Sequence, residues 1–113
     1  MKKIKPIKSS ELKWIGVDLD DTIAMGTGFP NFSLGKPTIG AKHALDLISA
    51  RGLKIVIYTA RGWSEYSVIE SWLDENKIPY KLIVCGKMLL KYMIDDRNIE
   101  FSGNWNEILH KVL

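Results

Sequence analysis

The side chains able to do chemistry fall in four short clusters: Asp18, Asp20, Asp21 and Thr22; Thr59 and Arg61; Lys87; and Asp95 with Asp96. Each cluster follows a short apolar run, and carboxylates dominate the first and the last. If the runs are strands of one parallel sheet, their carboxyl ends meet on a single rim. Several carboxylates, a hydroxyl and a lysine then share a small volume. Carboxylates so crowded repel one another, and the arrangement becomes favourable when a hard cation such as Mg²⁺ binds them through oxygen. A phosphate dianion is drawn to that cation and to Lys87, which together offset the repulsion between an attacking carboxylate and phosphorus. The chemistry implied is that of a phosphorylated substrate.

The elements that must position these groups are legible from pattern. Apolar runs at 13–17, 53–58, 81–84 and 91–94 read as buried strands. Helical spacing joins Ala41, Ala44, Leu45 and Ile48 in one segment and Trp105, Ile108, Leu109 and Val112 in another. A less regular helix is expected over 64–76, with Ile69, Trp72 and Leu73 inward. Pro37-Thr38 offers an N-cap, Gly52 a stop, and Asn104 with Glu107 the spacing of a capping box. Strands alternating with helices predict an α/β fold with right-handed crossovers, a mostly parallel sheet covered on both faces, and a ligand site beyond the carboxyl ends of the strands.

Composition sets the bounds. The 113 residues suit one domain, read as 13–113, preceded by a basic tail or extra strand over 1–12. Hydrophobic and charged fractions of 46% and 26% exclude disordered and disulfide-scaffold classes. The lone Cys85 cannot form an internal disulfide, and neither a signal-like apolar core nor a membrane-length run is present, so a cytoplasmic protein without a membrane partner is expected. A net charge of +3 helps attract an anion and is too small to favour nucleic acid.

The segments Val17-Asp18-Leu19-Asp20-Asp21-Thr22, Ile57-Tyr58-Thr59-Ala60-Arg61, Lys87, and Ile94-Asp95-Asp96-Arg97-Asn98 resemble, in order, the four motifs of the haloacid dehalogenase (HAD) superfamily of phosphatases. The resemblance covers the chain from about Trp14 onward and is nearest to the short capless members. It implies a three-layer Rossmann-like sandwich with no cap domain and a Mg²⁺-dependent phosphomonoesterase. It also implies that Asp18 is nucleophile and metal ligand, and that Asp20 gives the metal its backbone carbonyl and serves as general acid/base. Thr59 corresponds to the hydroxyl that holds a phosphate oxygen. Lys87 corresponds to the lysine that clamps nucleophile and phosphate, with Lys91 as its alternative. Asp95 and Asp96 correspond to the acidic pair, Asp96 as direct ligand and Asp95 behind it. Asp21 departs from the family, where many members have Gly.

Taken singly, each cluster also has an ordinary structural reading, since Asp and Thr at strand ends form turns and caps. Arg61 reads equally as a substrate ligand or a carboxylate partner, and Thr22 joins it as a substrate-side group. Trp63, Tyr66, Phe29 and Phe32 lie where loops should surround the crevice, and Trp63 is the aromatic candidate for substrate contact. Trp14, Trp72 and Cys85 read as core, and His43 has no companion at ligand spacing. The segment 23–37 is the only stretch available as a flap, so the site is expected open, suited to a bulky substrate or to closure by a second copy in a homo-oligomer. Sugar or polyol phosphates, nucleotides and phosphorylated polynucleotide ends all fit. Two other classes compete: a receiver-like phospho-acceptor, against which Asp20 argues, and a non-catalytic phosphate-binding module.

Overall fold

A computed structural model describes residues 12–27 and 33–113. The expected tail over 1–12 lies, apart from Leu12, outside the described residues, as do Phe29 and Phe32. Three parallel strands form the central sheet: β1 (Trp14–Val17), β4 (Lys54–Tyr58) and β5 (Leu82–Val84), in the order β1-β4-β5. Ile15 sits opposite Ile55, and Ile57 opposite both Val17 and Ile83. The connections are the crossovers that parallel pairing demands. Between β1 and β4 lie an antiparallel pair, β2 (Ala24–Gly26) and β3 (Leu34–Pro37), and helix α1 (Ala41–Ala50). Between β4 and β5 a 3-10 turn (Trp63–Glu65) leads into α2 (Tyr66–Glu75), and α3 (Trp105–Val112) closes the chain. Among the described residues the architecture is α/β with a small parallel sheet and three helices.

Burial explains the choice of elements. Ala41, Ala44, Leu45 and Ile48 line one face of α1 and are completely buried, as are Ile69 and Leu73 of α2. Ile55 and Ile57 are buried on β4 while Lys54 and Tyr58 are exposed, so burial in this strand alternates with the pleat. Thr38 does not cap α1: its hydroxyl donates to the Thr22 carbonyl at 2.6 Å and accepts from the Trp105 indole at 3.0 Å, and α1 starts from Gly40 in a left-handed conformation. The predicted box at α3 is half formed. Asn104 accepts from Asn106 N–H, but Glu107 bonds the Ser102 hydroxyl instead of turning back. Gly52 does end α1, at φ +85°.

Two further expectations fail. The run 91–94 is not a strand: it has no ladder partner, and Tyr92 and Ile94 stand in solvent. Trp14 is 49% exposed and lies under the Lys54 ammonium, 5.2 Å from its ring centre, because β1 ends the sheet on that side among the described residues. Trp72, expected inward, does pack against the core from a partly buried position, its indole N–H donating to the Gly35 carbonyl. Among the described residues no helix is long and apolar enough to cross a membrane.

Candidate active site

The rim at the carboxyl ends of β1, β4 and β5 gathers three of the four clusters. Asp18 and Asp20 follow β1 in a tight turn, in which Thr22, Ile23 and Ala24 all direct N–H groups at the Leu19 carbonyl. Asp21 has φ +59°, a left-handed conformation costly for most side chains. Its carboxylate compensates by accepting from Gly26 N–H at 3.0 Å. A Cβ at Gly26 would come to 2.5 Å from the Asp21 oxygen, so a larger residue there would displace that carboxylate.

Within the turn, the Thr22 hydroxyl donates to Asp18 Oδ2 at 3.4 Å. From the end of β5, Lys87 brings Nζ to 3.7 Å from Asp18 Oδ1 and 5.5 Å from the Tyr58 ring centre. Lys87 is placed by backbone: Gly86, at φ +82°, turns the chain so that Lys87 N–H donates to the Thr59 carbonyl and Gly86 N–H to that of Arg61. Lys91 sits over Tyr92 instead, so Lys87 is the lysine that meets Asp18. Tyr58 is a rim residue that the sequence reading passed over as part of a strand.

Arg61 is the most connected side chain of the site. Its Nε and Nη2 donate to the two Asp20 oxygens at 2.9 and 2.8 Å, and Nη1 donates to Glu65 at 2.9 Å. The Asp20 hydrogen bond is the main cause that raises the guanidinium pKa above its ordinary value, over the opposing effect of burial. Of its two readings, the carboxylate partner is the one the geometry displays. Glu65 went unremarked in the sequence, although its i+4 spacing from Arg61 was the available signal. Thr59 is completely buried, and its hydroxyl accepts from Arg61 N–H at 3.1 Å, shaping the loop from which Arg61 projects. Trp63 is exposed, stacks on Tyr66 at 6.1 Å and 13°, and lies beside Gly86. Buried Cys85 has its thiol pKa pushed up, by desolvation first and by Glu65 second.

The fourth cluster does not join the rim as a metal centre. Asp95 and Asp96 belong to an exposed stretch without regular structure, and among the described residues no three His, Cys, Asp or Glu side chains are grouped to hold a metal ion. The cause is the missing fourth strand, which was to deliver them. Asp95 instead accepts from Arg97 N–H at 2.9 Å, a local turn that holds its carboxyl below the usual carboxylate range.

No protein-family model and no curated protein matches this sequence. Solved structures do resemble it. A target protein from Vibrio cholerae aligns with TM-score 0.65 and 24% identity, over 88% of this chain and 98% of that one. A conserved protein from Bacteroides thetaiotaomicron aligns with TM-score 0.65 and 19% identity, over 89% of each chain. A chain of the Pnkp1/Rnl/Hen1 RNA repair complex aligns with TM-score 0.59 and 17% identity, over 96% of this chain and 34% of that much longer one. At these identities the likeness is one of fold.

Proposed function

We propose that this chain is a HAD-like phosphatase: a Mg²⁺-dependent phosphomonoester hydrolase on a small Rossmann-like scaffold without a cap domain, working through a phospho-aspartate on Asp18. The observation that carries the reading is the convergence of three strand ends, with Asp18 and Asp20 after β1, Arg61 after β4, and Lys87 after β5 at 3.7 Å from Asp18. This adds geometry to the ordered resemblance of the motifs.

In this reading an Asp18 carboxylate oxygen forms a bond to phosphorus as the bond from phosphorus to the ester oxygen breaks, and Asp20 gives that oxygen its proton. Asp20 then takes a proton from water, whose oxygen attacks phosphorus and releases Asp18 with inorganic phosphate. Lys87 holds Asp18 in place and balances charge on the phosphoryl group. Asp20 cannot hand over a proton while both its oxygens accept from Arg61. The acid step therefore requires Arg61 to let go, and an incoming phosphate offers the guanidinium an alternative bidentate partner. Thr59 holds the loop, and Thr22 and Trp63 face the substrate side.

The donor set suits a hard cation in kind. The Asp18 side chain is 39% exposed, and with the Asp20 backbone carbonyl it offers oxygen donors. When bound there, Mg²⁺ supplies positive charge that neutralises the phosphoryl group.

The test is phosphate release from an aryl phosphate with Mg²⁺, with excess chelator, and by the Asp18→Asn variant. The variant should lose at least a thousandfold in kcat with its circular dichroism unchanged, because a nucleophilic oxygen is removed at nearly constant volume. An Asp18→Asn protein that still hydrolyses at the parental rate ends the proposal. The fold-level likeness to a chain of an RNA repair complex favours one second reading, a phosphorylated polynucleotide end as substrate.

A further inference from the structure

Next to the rim lies an open groove of about 630 Å³ between α2 and the start of β3. Its wall towards the rim is Arg61 with Glu65, so the guanidinium that binds Asp20 on one side faces the groove on the other. Along α2, Ser67, Ser71 and Glu75 follow at i, i+4 and i+8, a polar stripe of roughly 12 Å at helical rise. Leu34, Val68 and Trp72 supply its apolar lining, and the Trp72 ring is fixed by the bond of its N–H to Gly35.

Resting on the phosphatase reading of the rim, we propose that this groove receives the alcohol half of the substrate, and that this half is an uncharged polyhydroxylated group, a sugar or polyol. Size places the groove in the range of small-ligand sites. Charge selects what enters. Among the described residues the lining carries two carboxylates, Glu65 and Glu75, against one cation, Arg61, whose guanidinium already serves Asp20 and Glu65. A second phosphate there meets net negative charge, which disfavours nucleoside polyphosphates and a polynucleotide strand. Hydroxyl groups suit it: carboxylates accept from them, serine hydroxyls both give and accept, and an indole face covers the C–H side of a ring. The phosphoryl group sits at Asp18 and Lys87, and the carbon chain runs past Arg61 along α2.

The experiment compares kcat/KM for three substrates, glucose 6-phosphate, 4-nitrophenyl phosphate and a 3′-phosphorylated hexathymidylate, in the parent chain, Ser71→Trp and Glu75→Lys. Ser71→Trp fills the groove and Glu75→Lys reverses charge at its far end. Both should lower the ratio of sugar to aryl phosphate at least tenfold, with Glu75→Lys raising the ratio of oligonucleotide to aryl phosphate. Ratios that do not move, or a parent chain that prefers the oligonucleotide, overturn the subsite. If no substrate is hydrolysed, the phosphatase reading fails separately, and the groove is tested by amide shifts on titration with glucose 6-phosphate. Saturable shifts at Ser67, Ser71 and Gly35 that Ser71→Trp abolishes sustain it, and their absence overturns it.

Discussion

Thr38 joins three parts of the molecule through one hydroxyl, and Thr38→Val should expose how much that junction contributes. The hydroxyl donates to the Thr22 carbonyl in the turn that carries Asp18 and Asp20, and accepts from the indole N–H of Trp105 at the start of α3. Valine keeps the shape and removes both bonds. Each is worth about 1 kcal/mol, and Trp105 is only 4% exposed, so its N–H would lose its partner in a nearly dry place, which raises the cost. The expected loss is about 2–4 kcal/mol, equivalent to a fall in Tm of roughly 10–20 °C for a domain of this size. Urea unfolding followed by fluorescence measures it. The orphaned N–H is isolated by repeating the substitution in Trp105→Phe, where no such donor exists and Thr38→Val should cost about 1 kcal/mol less. Thr38→Ser should retain most of the stability. A Thr38→Val protein within 0.5 kcal/mol of the parent would refute the reasoning, and Thr38 would then be an ordinary loop residue.

Two further outcomes are expected. Asp21→Ala should destabilise by about 1–2 kcal/mol, since alanine keeps the Cβ that resists positive φ and loses the bond to Gly26, while Asp21→Gly should stay near the parent; equal losses in urea unfolding would dismiss the conformational account. Tyr80, buried enough to desolvate its phenol and bonded to Asp74 at 3.1 Å, has its pKa pushed up to about 12. Its contribution is whole below the unfolded value near 10 and is lost as pH rises through 12, so stability should fall by about 1 kcal/mol more across that window in the parent than in Tyr80→Phe.

What the sequence disclosed follows the range of the forces involved. The helix faces around Leu45 and Ile69 and the strand at Ile55 and Ile57 were legible because burial repeats with the element's own period. The convergence of Asp18, Arg61 and Lys87 was legible because parallel topology puts all carboxyl ends on one side. Contacts between distant segments were not. Thr38 beside Pro37 carries a local capping signal, and its tertiary partners at Thr22 and Trp105 overrode it. The run Lys91-Tyr92-Met93-Ile94 looks like a strand in isolation, but a strand is defined by its ladder, and periodicity does not name the neighbour. Trp14 was read as core, yet a strand with no neighbour on one side among the described residues leaves a large ring half in solvent.

The crowding of carboxylates, from which the sequence implied a divalent cation, is met within the described residues by the protein's own cations. Lys87 stands near Asp18, and Arg61, shared with Glu65, holds Asp20, so each of the two acids has a cation beside it. Under the proposed function, a demand for Mg²⁺ would come from the substrate, whose dianionic phosphate would add charge that Lys87 alone does not balance. Mg²⁺ commonly binds through one or two carboxylates together with substrate phosphate oxygens, and a rim offering the Asp18 side chain and the Asp20 carbonyl suits that mode. In the proposed reaction, cation and substrate therefore bind as mutually reinforcing partners, and whatever draws Arg61 from Asp20 towards phosphate also frees the acid that the first step requires.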